Sequence, residues 1–378
     1  MTTNPAGNIK STHIYEIDLI RAITVFSVVA IHTLSYTNTL ITDQAGFALA
    51  NFIGHALHYN REMFMFVSGL VLTYVYFRKP LSKKSFWLKR FSVVLIPYIL
   101  WTIIYVVINH PGISFLDYVK LSLWNTLTGD ASFQLYYILL TLQFYAIFPW
   151  FLDFMKKVAK HPWKTLAISL VIQLVIIYID FFYLQIGPFA KEKLVIAFVH
   201  FQDRIFLLYE FFFVLGAFGA IYLNQIQNFF AKFGKYFIII FLLSLWAYAA
   251  YYYAQLYQWH FPIDAATSVL QPSVVLYSIV VIVFFSYLSY LWAKTKKGLS
   301  LVKIISDTSF GIYFVHVLAI SLVVQFFLPL FTFMNIPLRI LTVLLISFSA
   351  SVIFSYMLLR IPFLSWTIGK FQQKKQSL

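Results

Sequence analysis

The stretch YEIDLIRAITVFSVVAIHTLSY, from Tyr15 to Tyr36, decides the fold, because it is long and apolar enough to cross a lipid bilayer as one helix. It nevertheless carries two ionisable side chains, Arg21 and His32. At 100° per residue, positions eleven apart return to within about 20° of one helical face, separated by roughly 16 Å along the axis. Ionisable side chains are costly inside a membrane, so this pair predicts a functional groove.

The composition extends this interpretation to the whole chain. Hydrophobic residues make up 61% of the sequence and charged residues only 11%, which excludes an ordinary soluble globule. The apolar segments are long continuous runs, so they predict an all-α integral membrane protein and not a β-barrel. The sequence contains no cysteine, which excludes disulfides, thiolate metal sites and a cysteine nucleophile.

Ten apolar stretches predict ten transmembrane helices. They lie near residues 15–36, 50–76, 86–108, 133–154, 165–185, 205–223, 236–257, 271–292, 304–328 and 338–360. We therefore divide the chain into a tail at 1–14, a membrane domain at 15–360 and a basic tail at 361–378, and we expect no extracytoplasmic domain.

The basic residues behind the net charge of +15 indicate above all how the chain is oriented in the membrane. Most basic residues fall in the segments that share a side with both termini, and the opposite segments hold only Lys120, Lys191, Lys193, Arg204 and Arg339. By the positive-inside rule both termini are predicted to be cytoplasmic. The basic residues are thus expected to meet the lipid bilayer, and we predict no nucleic-acid partner.

The second stretch brings further polar residues into the membrane. His55, His58 and Glu62 follow a spacing that places them on one helical face, where they could hold a metal. No third strong ligand is evident nearby, so we predict no metal site. Counting depth along antiparallel helices, Glu62 reaches the level of Arg21, which it could neutralise, or it could orient His32 through a water.

A basic stretch precedes the third predicted span. Lys84, Lys89 and Arg90 lie where an anionic cytosolic ligand could dock, and arginine suits bidentate contact with phosphate. Ser68 and its neighbouring glycine permit close packing of helices, which is the more common role of small residues in membranes.

Five motifs in order along the chain resemble the acyltransferase-3 family of membrane O-acyltransferases. They are the Arg21/His32 pair, FMFVSG at 64–69, KRFSVVLIPY at 89–98, EFFFVLG at 210–216 and SDTSFGIYFVH at 306–316. The segment QLYYILLTLQFY at 134–145 and the overall length look most similar to the subgroup that O-succinylates biofilm poly-N-acetylglucosamine.

The resemblance implies ten helices, a cytosolic acyl-CoA donor and transfer to a sugar hydroxyl at the outer side. It also implies that Arg21 and His32 are the signature pair, and that the protein is a multi-pass component of a bacterial plasma membrane. The sequence departs from the family pattern at Gln134, where many members have histidine, and at Glu62, where they have aspartate. These departures leave the partner of His32 open.

The two depths of Arg21 and His32 suggest a mechanism. A sugar hydroxyl needs a base to attack a thioester, so His32 is the expected general base and Arg21 is expected to hold the donor or the oxyanion, with Glu62 as a candidate partner. A two-step route through an acyl-histidine or acyl-serine intermediate stays open, and Ser68 is the nearest serine. No bound cofactor is predicted, since acetyl-CoA or succinyl-CoA is a co-substrate. Candidate acceptor or cavity residues are His55, His58, Arg61, Ser68, Gln134, Tyr137, Glu210, Tyr313 and His316.

Two other functions remain open from the sequence. A polysaccharide exporter or flippase would also have a polar cavity within ten helices and would need no acyl donor. An acyltransferase of the same fold could instead act on a small molecule or a lipid-linked precursor. The acyl group, the acceptor hydroxyl and any glycan synthase partner are not specified by the sequence; Arg61 is a candidate cation for a succinyl group.

Overall fold

The structure is a computed structural model that describes residues 13–370. Within them the chain forms fifteen α-helices and no β-strand. The helices are α1 (Tyr15–Thr37), α2 (Gln44–Leu57), α3 (Asn60–Tyr76), α4 (Lys83–Asn109), α5 (Phe115–Thr128), α6 (Tyr136–Val158), α7 (Pro162–Ile179), α8 (Lys193–Phe201), α9 (Glu210–Ile221), α10 (Leu223–Phe233), α11 (Lys235–Tyr257), α12 (Ile263–Ala266), α13 (Pro272–Thr295), α14 (Leu299–Phe326) and α15 (Ile336–Arg360). The prediction of an all-helical fold is confirmed.

Eight of the described helical segments are long and apolar enough to cross a membrane, and they contain α1, α4, α6, α7, α11, α13, α14 and α15. They coincide with eight of the predicted stretches. The pair Lys193–Arg204 and Phe206–Ile221, bent by 53°, gives a ninth candidate if it counts as one broken span. The protein is therefore a multi-pass membrane protein, while ten crossings and the side of the termini stay predictions.

The second predicted stretch is not one helix. It divides at His58 and Tyr59 into α2, of 14 residues, and α3, of 17 residues. The break falls where the apolar run is interrupted by His58, Tyr59, Asn60, Arg61 and Glu62, whose polar groups favour a helix end over a continuous apolar rod. The expectation that His55, His58 and Glu62 share the face of a single helix is corrected by this break.

Helices α3 and α9 pack in direct backbone contact at the centre of the bundle. A Cβ added to Gly69 would collide with the carbonyl oxygen of Phe213, and a Cβ added to Gly216 would collide with the carbonyl oxygen of Phe66. Only glycine permits such an approach of two helices, as small residues do at membrane helix interfaces. The close packing predicted from FMFVSG is present.

One end of the bundle carries most of the lysines, and we call it the basic end. There α3, α6, α13 and α15 end and α1, α4, α7 and α14 begin. The ring of Tyr15 at the start of α1 lies 3.8 Å from the Lys296 ammonium, which follows α13. Beyond α15 the chain turns back, and residues 361–370, predicted as part of a tail, pack between α4, α14 and α15, with Ser365, Thr367 and Ile368 buried.

Candidate functional site

Three cavities follow one another from the basic end through the bundle. The basic-end cavity has a volume of about 350 Å³, the central chamber about 50 Å³ and the far cavity about 330 Å³. Phe64, Tyr137 and Tyr313 line both of the first two, and His32 and His58 line both of the last two. Because neighbouring cavities share lining residues, the three cavities form a series. The central chamber is the smallest of the three.

Arg21 and Arg90 line the basic-end cavity from α1 and α4. Among residues 13–370 no ion pair joins Arg21 to Glu62, so the neutralising partnership considered from the sequence is not formed. The guanidinium of Arg90 lies 5.9 Å from the ring centre of Tyr76. Two cationic side chains thus face an open space, which suits an anionic ligand.

The carboxylate of Asp18, one turn before Arg21, interacts with Ser306 and His13. One carboxylate oxygen accepts a hydrogen bond of 2.9 Å from the Ser306 hydroxyl on α14, and the second oxygen lies 2.6 Å from His13 Nε2. This arrangement fastens α1 to α14 and leaves the Arg21 side chain directed at the cavity.

His32 lies where the central chamber meets the far cavity. Its ring stacks on that of His316 of α14, with ring centroids 5.1 Å apart and an interplanar angle of 29°. The ring centroids of His32 and Phe133 are 4.5 Å apart. Arg21 and His32 therefore occupy successive cavities of one series, as the helical period predicts, and His32 is reached from the far cavity.

His316 is fully buried beneath His32. Its Nδ1 lies 3.1 Å from the carbonyl oxygen of Ile312, and because a carbonyl oxygen only accepts, that nitrogen carries the proton. Its Nε2 has no hydrogen-bond partner among the described residues. The ring of His316 thus packs behind that of His32.

Arg61 is the cation that shares the central chamber with His32. Its guanidinium donates to the Tyr209 hydroxyl at 3.1 Å and to the Val269 carbonyl at 3.4 Å. No ion pair within residues 13–370 involves this side chain, although it is only 6% exposed. Glu62 is also buried, and its Oε2 has no hydrogen-bond partner within the same residues.

Another part of the wall of the central chamber comes from the segment before α6, the start of α6 and α14. The Tyr313 hydroxyl donates to the carbonyl oxygen of Gln134, and the Gln134 side chain accepts from Ser132 at 2.6 Å. The Gln134 Nε2 is buried without a partner in the described chain. Tyr137 and Tyr136 complete this wall.

The far cavity has a polar, largely uncharged lining that includes Ser35, Asn38, Asn51, His55, His58 and Thr267. His55 is held from behind by the Tyr248 hydroxyl at 2.6 Å and by the Gln271 amide at 3.3 Å. Hydroxyl, amide and imidazole groups are typical partners of neutral hydroxylated ligands. Within residues 13–370 no group of three or more histidine, cysteine or acidic side chains could hold a metal ion.

Five predicted site residues line none of the three cavities, namely Glu62 and His316, described above, and Lys84, Lys89 and Glu210. Lys84 and Lys89 are exposed on α4. Glu210 lies in a separate groove of about 410 Å³ beside α7, where it accepts hydrogen bonds of 2.9 and 3.0 Å from Ser169. Ser68, by contrast, lines the basic-end cavity.

Several residues of the series are not among the predicted site residues. Tyr136, Phe133, Asp307 and Lys370 all line or contact the cavities. Tyr136 and Asp307 lie inside the segments 134–145 and 306–316 quoted above, so their position in these segments could have identified them as site residues. Lys370 had none, because a lysine after the last helix reads as a solvated charge.

Comparison with known proteins gives one match. The family model Acyl_transf_3, described as an acyltransferase domain, matches residues 14–360. A search of curated proteins and a search of solved structures find no match to the chain.

Proposed function

The chain belongs to the acyltransferase family whose model spans residues 14–360, and from this premise we propose that it transfers an acyl group from acyl-CoA to a hydroxyl of a cell-surface polysaccharide or its precursor. The basic end is the cytoplasmic side in this proposal and the far cavity opens outward, in a bacterial plasma membrane. The observation that carries the proposal is the series of cavities, with cations at one end, His32 at the junction and a neutral polar cavity at the other.

The donor enters from the basic end. Its phosphates meet Arg21 and Arg90, while the extended pantetheine arm passes Phe64, Tyr137 and Tyr313 toward the central chamber. Because Arg21 lies roughly 16 Å from His32 along α1, it suits phosphate binding better than oxyanion stabilisation. Guanidinium groups match phosphate oxygens with paired hydrogen bonds.

His32 acts as the general base at the junction. It accepts the proton of the acceptor hydroxyl as the hydroxyl oxygen forms a bond to the thioester carbonyl carbon. The tetrahedral intermediate then collapses, the carbon–sulfur bond breaks, and the coenzyme A sulfur leaves and takes the proton from the imidazolium. A positioned base contributes about 10²–10⁴-fold to such a step.

Arg61 favours an acyl group with a negatively charged end. It lines the chamber that the acyl group enters, and within residues 13–370 it forms no ion pair, although the neighbouring buried Glu62 attracts it from a longer distance. A buried charge is costly unless it is paired, and the free carboxylate of a succinyl group would pair with the guanidinium directly. This supports succinyl over acetyl as the group transferred, as in the succinyltransferase subgroup that the sequence resembles.

The narrow central chamber argues against a polysaccharide exporter. Its volume of about 50 Å³ has room for only a few water molecules, since one water needs roughly 10–15 Å³ of cavity volume on this measure. A sugar chain would require this part of the series to open widely. A reacting acyl end needs no such opening.

The decisive experiment compares the surface glycan of cells that make the wild-type protein or the His32→Ala variant. Mass spectrometry of the purified glycan is expected to detect the ester only with the wild-type protein. An unmodified glycan with the wild-type protein, together with consumption of acyl-CoA by the purified protein, would point to a small-molecule or lipid-linked acceptor. Absence of thioester consumption would contradict acyl transfer from this donor.

A further inference from the structure

Residues 361–370 are fastened inside the basic end. The indole nitrogen of Trp101 on α4 donates to the Thr367 carbonyl oxygen at 3.0 Å, and the Trp101 side chain is itself buried. Ser365, Thr367 and Ile368 are all less than a tenth exposed. This segment is therefore part of the folded bundle.

Gly369 fixes the direction in which the segment continues. Its φ of +74° lies in the left-handed region that side chains disfavour. A Cβ there would lie 2.7 Å from the carbonyl oxygen of Val93 and 2.9 Å from the ring of Phe310. The close approach to α4 and α14 leaves Lys370 at the wall of the basic-end cavity.

Lys370 adds a third cation to that cavity beside Arg21 and Arg90. The carboxylate nearest to it is that of Asp307 at 3.9 Å, and both side chains are about half exposed, at 47% and 45%. Such a long, solvated ion pair holds the ammonium weakly. Three cations and one carboxylate leave the wall of the cavity positively charged, which suits a ligand carrying several negative charges.

We propose that residues 361–370 form one wall of the donor pocket, and that Lys370 binds the phosphate groups of the donor together with the two arginines. This inference rests on the proposed function, because it takes the donor to be a phosphate-bearing thioester. Lys370 lies far from the reacting carbon. It therefore contributes to binding the donor equally before and during the reaction, which affects KM and not kcat.

The test measures donor affinity and turnover of the purified full chain in nanodiscs of zwitterionic lipid, so that no anionic headgroup competes for the lysine. Lys370→Gln is compared with Lys297→Gln, which removes an exposed lysine that lines none of the three cavities. We expect Lys370→Gln to weaken binding of acyl-CoA about fivefold, as for a partly exposed charge contact, with kcat unchanged. Binding of acyl-pantetheine, which lacks the nucleotide phosphates, is expected to be unaffected.

A second variant separates charge from position. Gly369→Val keeps Lys370 but forces the segment away from Val93, and it is expected to weaken acyl-CoA binding to a similar extent while the far-ultraviolet circular dichroism stays unchanged. If both variants bind acyl-CoA like the wild type, the inference is overturned and the proposed function stands. If the wild type itself does not bind acyl-CoA, both are overturned. An equal loss for acyl-CoA and acyl-pantetheine would also overturn the inference, because the phosphates would not be what Lys370 contacts.

Discussion

The imidazole ring of His32 on α1 lies stacked on that of His316 on α14, with centroids 5.1 Å apart. The two rings differ in surroundings, since His32 opens to two cavities whereas His316 is fully buried. The inner ring thus supports the outer one from behind. This relationship gives the proposed base a fixed orientation before any substrate arrives.

The first prediction concerns the base itself. His32→Ala is expected to lower the rate of acyl transfer by about 10²–10⁴-fold, because an unassisted hydroxyl attacks a thioester poorly. The rate is measured with purified protein, acyl-CoA and acceptor glycan. His110→Ala, which removes an exposed histidine outside the three cavities, serves as the matched control. A normal rate of acyl transfer by the His32→Ala variant would contradict the role of His32 as the general base.

The stacking predicts a graded response at His316. His316→Phe keeps an aromatic ring beneath His32 and is expected to retain activity within about tenfold, the range that ring-pair energies allow. His316→Ala leaves a hole there and is expected to lose more activity. The transfer rates of both variants are compared at equal amounts of folded protein. A phenylalanine variant as inactive as His32→Ala would show that an imidazole nitrogen of His316 takes part in the reaction.

Replacing Arg21 by lysine separates charge from geometry. Arg21→Lys keeps the positive charge but loses the paired donors, so we expect kcat/KM for acyl-CoA to fall about 10- to 100-fold, as for the loss of a charged hydrogen bond. Steady-state kinetics with varied acyl-CoA measure this effect. Arg360→Lys, at the exposed end of α15, is the control. An unchanged dependence on donor concentration would argue against phosphate binding by Arg21.

Arg61 is predicted to set the choice of acyl group. Arg61→Gln is expected to reduce turnover of succinyl-CoA at least about tenfold more than turnover of acetyl-CoA, because only the succinyl group carries a carboxylate to pair with the guanidinium. Parallel assays with the two donors give the ratio. If both donors lose activity equally, Arg61 acts on a feature that they share and the preference for succinyl is withdrawn.

The contact between α3 and α9 predicts a large effect of two small changes. Gly69→Ala and Gly216→Ala each place a methyl group against a backbone carbonyl, and overpacking of this kind costs about 1–3 kcal/mol. Thermal unfolding in detergent should therefore begin at a lower temperature for both. Gly54→Ala, where no atom lies within 4 Å of the new methyl group, should unfold like the wild type. Equal unfolding of all three variants would contradict the close packing.

The sequence alone predicts the features that depend on helical periodicity and on residue composition. Apolar runs identify the long helices, and the helical repeat places Arg21 and His32 on one side of α1. It does not predict contacts made between distant helices, such as His32 with His316, because spacing within one helix says nothing about the rotation of the next. The break at His58 was missed for a related reason, since a polar cluster can be buried in a continuous helix or can end one.

The basic-end cavity shows the same limit of prediction from the sequence. Lys84, Lys89 and Arg90 are close in the sequence, but only Arg90 lines the cavity, because the helical rotation directs the two lysines outward. Conversely, Lys370 reaches the cavity through the turn at Gly369, which depends on packing against Val93 and Phe310. Such a placement follows from tertiary contacts that no local pattern encodes.

The aromatic constriction at Phe64, Tyr137 and Tyr313 has a consequence for the energy balance of the cell. A wide aqueous passage joining both faces of a membrane would leak ions and dissipate the electrochemical gradient. In the proposed reaction, a constriction that admits only the acyl end of the thioester would let the acyl carbons reach the other face of the membrane while coenzyme A stays on the donor side. The proposed acceptor would then be modified without export of coenzyme A and without an open passage for ions.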